Sequence, residues 1–580
     1  MLMYSYWNKI KLVLFLFMLT APLAWANIYF VDATSGNDTN DGTSAATPWR
    51  TIQKVNDTFF SPGDQILFKR GDVWREELVV TSKGTESSPI VFGAYGDKTL
   101  EKPEINGADI VSNWVEFKRD LWQTSLAIQP FNVWFDDEAG NKVNSWYDLK
   151  NEKDWIWENN TLYIFSKGQP TEKYTNPGIE AAQRRSCIND GHEDCSHVVI
   201  ENFRIRHNGA LVSFFGAIDC RDGAGKDWTI RNCDFQDVAS MGVMLLYDDS
   251  AVENNTFTRT RLGAILAHAA NTGSTIIGND IFSCNSGVSS YGNGIKISEN
   301  KIHHNKWNGI LVWHESGTPN CTGLEITRNE IFENGQGWQE WLTLPDNQKD
   351  GTQLDGIWTG NMDNSLIAYN LIYNNAHGHG IHLDDGSENN VIANNIVCGH
   401  LDNGLIRWST GLVVENGTDG KTGKCEISAN NVWKNNIVFN NHNQIAFAGI
   451  KPECNNDDYS SNDFNNNNIW IGPKGKGIGW DGTRDHATLE SWQQATGQEM
   501  NSISADPLFI SSDPDEAADF TLRPDSPCIN AGTDVGLQVD FFGAPISNRP
   551  NMGISESSSS ADNDPPAQPR SLSVPNYPLN

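Results

Sequence analysis

Apolar residues in the second half of this chain recur in a fixed relation to asparagine and glycine. Asn-x-(Ile or Phe) begins at Asn255, Asn279, Asn300, Asn329, Asn370, Asn394 and Asn435, in steps of 24, 21, 29, 41, 24 and 41 residues. A coil of about 22 residues with loops inserted at some turns accounts for these steps. Each apolar triplet is followed by a polar turn and a Gly-led strand: GVMLLYD at Gly242, GAILAH at Gly263, GILVWHE at Gly309, GIWTGN at Gly356, GIHLDD at Gly380 and GLIRWS at Gly404. In these strands the first and third residues after Gly are mostly apolar, as in Val243 and Leu245, Ala264 and Leu266, Ile310 and Val312, Ile381 and Leu383. A period of two sends those residues to an interior and the second and fourth outward. Short strands repeated in each coil, with Asn stacked at equivalent turns, predict an all-β right-handed parallel β-helix. A β-propeller repeats at roughly 40 residues with four longer strands per blade, which this pattern lacks.

The flanking regions have different textures. Lys9 and Lys11, an apolar run over 12–19 and Ala24-Trp25-Ala26 predict a signal peptide over 1–26 and hence a secreted protein. Short strands at 65–69, 78–81 and 90–93 place a cap and the first coils in 27–110. Region 111–180 is rich in tryptophan, with Trp114, Trp122, Trp134, Trp146, Trp155 and Trp157, and predicts a small β insertion. The central helix then runs over 181–505, a closing segment that caps the last coils over 506–554, and a Ser- and Pro-rich disordered tail over 555–580. No segment after the leader is apolar for long enough to span a membrane.

Charge narrows the partners. With 73 Asp and Glu against 42 Lys and Arg, the net charge of -31 opposes nucleic acid and anionic membrane surfaces, and weakly opposes a polyanionic substrate. The 10 cysteines have no zinc-type spacing, and in an exported chain they predict loop staples between Cys187 and Cys195, Cys220 and Cys233, Cys284 and Cys321, and Cys398 and Cys425. Asp38 and Asp41 lie in a turn-rich stretch that reads as a solvated turn ahead of a calcium loop.

The opening VDATSGNDTNDGTSAATPWRTIQ with PGDQILFKRGDVW, the coils, and the closing DPLFI, DFTLRPDSPCINAGT and MGI resemble secreted right-handed β-helix proteins of the pectin-lyase-like superfamily. The resemblance covers nearly the whole mature chain and implies a carbohydrate-active protein. That superfamily holds lyases, hydrolases, epimerases and non-catalytic adhesins, so function has to be argued from the site.

Aligned on their Gly, the strands place chemistry in outward columns. The second column contains Trp358 and His382; the fourth contains Trp313, Gly360, Asp384 and Trp408; the fifth contains His268, His314 and Asp385, with Glu315 next to His314. Asp355 precedes Gly356 and His379 precedes Gly380. The candidate catalytic acids are Asp384, Asp385, Glu315 and Asp355, since two carboxylates flanking a glycosidic oxygen suffice for hydrolysis. His314, His382, His268, Arg407, Trp313, Trp358 and Trp408 are the candidate substrate contacts, indoles offering flat faces to sugar rings. Arg407 falls at a nominally inward position, and Glu415, after that rung, is a further carboxylate candidate.

Three functions follow. The first is a hydrolase of a polysaccharide or oligosaccharide that needs no cofactor. The second is a calcium-assisted lyase of uronate polymers, with Lys296 or Arg407 as base and the Asp pair as calcium ligands. The third is a non-catalytic carbohydrate-binding surface protein.

Overall fold

The computed structural model describes residues 26–191, 194–209, 215–220, 225–314, 319–341, 343, 354–375, 377–401, 409–418, 425–448 and 459–556. All but Ala26 of the expected signal peptide, and the tail beyond Glu556, lie outside them. The described strands stack into three long sheets of 13, 12 and 13 members, parallel except where the last strand of the third sheet turns back. The chain visits the sheets in rotation, so the whole is a parallel β-helix of short strands.

Three inward columns build its core. In the first sheet Ile66, Phe92, Ile200, Ile230, Val252, Ile276, Ile297, Ile326, Ile367, Ile392, Trp433 and Phe464 lie in register. The second sheet stacks Phe235, Phe257, Ile281, Ile302, Ile331, Ile372, Val397 and Val438 in the same way. The third contributes Val243, Ile265, Val288, Ile310, Ile357, Ile381, Leu412 and Ile445. All are buried in one continuous core, and full burial of such a side chain contributes about 1.5–3 kcal/mol. Helix Ile52–Asn56, capped by Thr51, packs Ile52 and Val55 into this core, and helix Leu489–Thr496 packs Trp492 into it against Phe447.

The bend from the first to the second sheet uses one residue in the left-handed region at 254, 278, 299, 328, 369, 394, 435 and 466. The next residue is the ladder asparagine. Asn255, Asn279, Asn300, Asn329, Asn370, Asn395, Asn436 and Asn467 are buried, and each of the first seven donates its side-chain amide to the carboxamide oxygen of the next at 2.9–3.1 Å. Sequence periodicity assigned Asn394 and Asn435 to this ladder. They stand instead at the bend, one residue earlier, and bind the C-terminal segment at Asn551, Gly553 and Thr533. Further ladders, Asn305–Asn334–Asn375 and Asn390–Asn431–Asn462, line other turns.

The third sheet departs from the alignment on glycine in three places. Gly263 pairs with Met241, which turns Ile265 inward and Leu266 outward. Strand Val288–Ser290 supplies a rung that its serines concealed. The rung after Ile381–Asp384 is Thr410–Glu415, led by Gly411, because Leu412 pairs with Ile381; Gly404 does not lead it.

Between 108 and 182 lie two small sheets, of four and five strands, mostly antiparallel. Their core takes Trp114 and Trp155, whereas Trp146 stays half-buried at the surface, stacked on Tyr147. The segment after 506 lies along the outer face of the second sheet, where Phe509, Phe520, Leu522, Cys528 and Met552 cover Leu371, Tyr373, Ile396, Ile437 and Phe439. The apolar outward column of the second sheet, which includes Ile396, Ile437, Phe439 and Trp470 on its last strands, draws it there.

Cys187, Cys195, Cys220, Cys233, Cys284, Cys321 and Cys398 are buried free thiols, so none of the four expected staples forms. Most of these sulfurs fill core positions and act as small apolar side chains. Asp38 accepts from the Arg50 and Thr51 amides and Asp41 from the Thr43 amide, which makes this stretch a self-satisfied turn. Among the described residues, no helix is long and apolar enough to cross a membrane.

Candidate active site

With the register corrected, the outward positions of the third sheet form two adjacent columns. One runs Met244, Leu266, Ser289, Leu311, Trp358, His382 and Val413. The other follows the last paired residue of each strand and runs His268, Tyr291, Trp313, Gly360, Asp384 and Glu415. Gly360 pairs directly with Asp384, and the pairing of Leu383 with Val414 sets Glu415 beside Asp384.

The two columns meet in a cluster of acids and imidazoles. His382, 4% exposed, shares one ring nitrogen with each of two carboxylates: Nδ1 donates to Asp355 Oδ2 at 3.1 Å and Nε2 to Glu415 Oε2 at 3.2 Å. Burial alone would push the imidazole down, but these two bonds and the nearby Asp384 outweigh it and hold His382 well above its usual range. It is therefore an imidazolium. Asp355 is buried and also accepts the His379 amide at 2.6 Å. Burial opposes its ionisation, yet His379 and His382 hold it below the usual carboxylate range. His379 accepts the Thr410 amide on Nδ1 at 3.2 Å and meets His382 edge to face. Burial pushes it down to about 4, so it is neutral.

Asp384 keeps part of its surface exposed. Burial of its carboxyl, then the charges of Glu415 and Asp385, push its pKa well above the carboxylate range, against the opposing effects of His382 and the Asp385 amide, which donates to Asp384 Oδ1 at 2.8 Å. One ligand atom from each of His382, Asp384 and Glu415 lies within 4.8 Å of the others. Asp355, His379 and His382 form a second such group.

The other expected site residues are distributed as follows. Asp385 has a left-handed backbone (φ 44°) in the turn after the strand, and its carboxyl lies against Gly417, where an added Cβ would meet Oδ1 at 1.6 Å. Trp358 was expected as an exposed sugar platform, but it is 1% exposed, stacked under Trp313 with ring centroids 4.8 Å apart. Trp313 and His314 are partly exposed and stacked on each other. His268 falls in the Asp384 column, four rungs away, beside Tyr291. Lys296, expected as a lyase base, lies in the first sheet paired with Glu325 at 3.3 Å, away from this cluster. Glu315, Arg407 and Trp408 lie outside the described residues. Glu415, ranked low from sequence, is central. The signal was present, since Gly411-Leu-Val-Val-Glu repeats the pattern of Gly380-Ile-His-Leu-Asp.

The family described as "Right handed beta helix region" matches residues 186–347. The structure of XylC in complex with xylose superposes over 91% of this chain and 98% of its own, with a TM-score of 0.63 at 14% identity. This chain has a right-handed parallel β-helix fold. A stretch of 81 residues of this β-helix protein is 36% identical to lacto-N-biosidase of Bifidobacterium longum subsp. longum, covering 13% of the chain but only 5% of that enzyme's length. The uncharacterized protein YwoF of Bacillus subtilis is 23% identical over 514 residues, 86% of this β-helix chain and 92% of its own.

The buried imidazoles also set an acid limit on stability. His379 and His400 are both pushed down to about 4 by burial, His400 occupying an asparagine-ladder position between Asn375 and Asn441. Unfolded histidine titrates near 6.5. As pH falls from about 6.5 to about 4 the unfolded chain takes up protons that the folded one refuses, so each site costs about 1 kcal/mol per pH unit over that window. His400→Asn, which suits the ladder, is expected to lose less of its urea midpoint between pH 7 and pH 5 than the parent; equal losses would refute this account.

Proposed function

We propose that the protein is a secreted glycoside hydrolase in which Asp384 is the general acid and Glu415 the nucleophile. The observation that carries this reading is a pair of neighbouring carboxyls in different surroundings, with one oxygen of each within 4.8 Å of the other. Burial and the neighbouring Glu415 and Asp385 push the Asp384 carboxyl up, towards its protonated form, whereas Glu415 Oε2 accepts from His382 Nε2 at 3.2 Å. Environments that push two carboxyls apart in this way assign acid and base roles. Asp384 would protonate the glycosidic oxygen while Glu415 attacks the anomeric carbon; water then releases the sugar from Glu415, with Asp384 as base. Carboxyls about 5 Å apart serve retaining hydrolysis, and wider ones inversion. The contact of both side chains within 4.8 Å supports retention. Asp355 would act through His382, orienting it towards Glu415, and no step needs a metal. The structural likeness to a protein bound to xylose and the local likeness to a lacto-N-biosidase support a carbohydrate substrate.

Incubating the purified protein with polysaccharides and oligosaccharides is expected to release new reducing ends of retained anomeric configuration. Unsaturated uronate ends would overturn hydrolysis in favour of elimination, and binding without turnover would favour an adhesin.

A further inference from the structure

The outer face of the second sheet carries an aromatic column that runs Phe282, His303, Phe332 and Tyr373 on consecutive rungs. The C-terminal segment reaches Tyr373, whose hydroxyl donates to Asp515 O at 2.9 Å, and leaves His303 partly open to solvent. The His303 ring lies flat between its neighbours, 12° from Phe282 and 2° from Phe332, with centroids 5.3 and 4.8 Å apart. His304, the next residue, turns through the left-handed region (φ 54°), as Ser283 and Glu333 do at the same bend of the adjoining coils. Its ring meets His303 edge to face at 81°. A stacked column asks only for flat rings, which phenylalanine would supply at 303; the nitrogens are what the pair adds.

All four ring nitrogens are engaged. His303 Nε2 lies 3.1 Å from Asp280 Oδ1 and His304 Nε2 lies 2.5 Å from Glu333 Oε2, while the two Nδ1 atoms face each other at 2.8 Å. A carboxylate can only accept, so each Nε2 carries the proton it donates, and in neutral rings both Nδ1 atoms then present lone pairs. Two lone pairs at that distance repel unless a positive charge stands between them, either a shared proton or a metal ion. A carboxylate on the far nitrogen is the arrangement that fixes the tautomer and orientation of a metal-bound histidine and raises its basicity. Here it occurs twice, and stacking holds one of the two rings in place. Nitrogens 2.8 Å apart, each about 2.0–2.1 Å from one ion, subtend about 85–90° at it. That is the cis angle of a square-planar or tetragonal ion such as copper(II), and well short of the tetrahedral angle that zinc takes. His304 leaves 49% of its side chain exposed, which gives an ion its entry and water room as the remaining ligands.

We propose that His303 and His304 form a binding site for copper(II), with both Nδ1 atoms as ligands and with Asp280 and Glu333 orienting the rings. The site lies on the second sheet and does not depend on the hydrolase reading of Asp384 and Glu415. The test is equilibrium dialysis of the full chain against copper(II) buffered with glycine, followed by electron paramagnetic resonance of the bound ion. One equivalent is expected to require this pair and to give a tetragonal spectrum split by two imidazole nitrogens. His303→Phe keeps the aromatic column and His304→Asn suits the left-handed backbone, so both variants should fold as the parent does by circular dichroism, and each should lose that equivalent. Asp280→Asn and Glu333→Gln should weaken it about 10–100-fold. Copper bound in equal amount and with an unchanged spectrum by the double variant His303→Phe, His304→Asn would be adventitious and would overturn the site. Zinc(II) displacing copper(II) at equal concentration would overturn the square-planar assignment. No bound copper in the parent would leave the pair to a shared proton and overturn the proposal.

Discussion

Asp384→Asn is expected to lower turnover by about 10²–10⁴-fold while leaving the fold as stable as the parent, or more so, at pH 7–8. The loss follows from removing the proton that a general acid delivers to the leaving oxygen. The stability follows from the sign of the shift. Asp384 has a folded pKa well above its unfolded value, through burial first and then Glu415 and Asp385. Such a carboxyl favours the folded state most when protonated, and that advantage is lost as pH rises above about 4 towards the folded pKa. Asparagine has no proton to lose and its oxygen can still accept the Asp385 amide. Rates on a responsive glycoside and urea midpoints at pH 5 and pH 8 check both halves. Turnover within tenfold of the parent would place the acid elsewhere.

Asn329→Ala is expected to cost about 3–5 kcal/mol, the largest stability loss foreseen for a single surface-to-core turn. The Asn329 amide donates to Ile297 O at 2.9 Å and to Asn370 Oδ1 at 2.9 Å, and its oxygen accepts the Asn300 backbone and side-chain amides, both at 3.0 Å. Alanine removes all four bonds and strands buried groups on two neighbouring coils, at about 1–3 kcal/mol for each group left unsatisfied. Coils of a solenoid support each other mainly through nearest neighbours, so the damage reaches the rungs on both sides. Asn394→Ala is the matched control. Its amide donates to the Asn551 and Gly553 carbonyls of the C-terminal segment, its oxygen accepts the Asn435 amide at 3.1 Å, and alanine also disfavours its left-handed backbone, so it should cost about 2–3 kcal/mol. Equal urea midpoints for the two variants would show that the ladder does not carry the load assigned to it.

Much of this architecture can be read from the chain because its signal is repeated. Isoleucine after isoleucine at one position, with asparagine two residues earlier, leaves few folds that bury every apolar residue and satisfy every buried amide. Register is less legible, and the reason is visible in particular residues. Val288-Ser289-Ser290 forms a strand through its partners on either side, with two hydroxyl residues where apolar ones were the cue. At Gly404 and Gly411 the sequence offers two glycines seven residues apart, and only the pairing of Leu412 with Ile381 selects the second. That choice moved Glu415 from a loop to the rung beside Asp384. His382 and Asp355 were visible as candidates, but their roles depend on burial, which turns an exposed-looking imidazole into a cation clamped between two acids. Trp358 shows the same effect in reverse, since another indole covers it.

Because Asp384 and Glu415 sit on consecutive strands of one sheet, their spacing is quantised by main-chain hydrogen bonding. Strands pair at about 4.8 Å, so carboxyls in one column stand about one or about two such intervals apart, with nothing between. One interval lies near the retaining distance and two, about 9.6 Å, at the upper edge of the inverting range. An acid moved from position 384 to position 360 would cross from one stereochemical outcome towards the other in a single step. On this scaffold the choice between the two hydrolytic courses is a choice of coil.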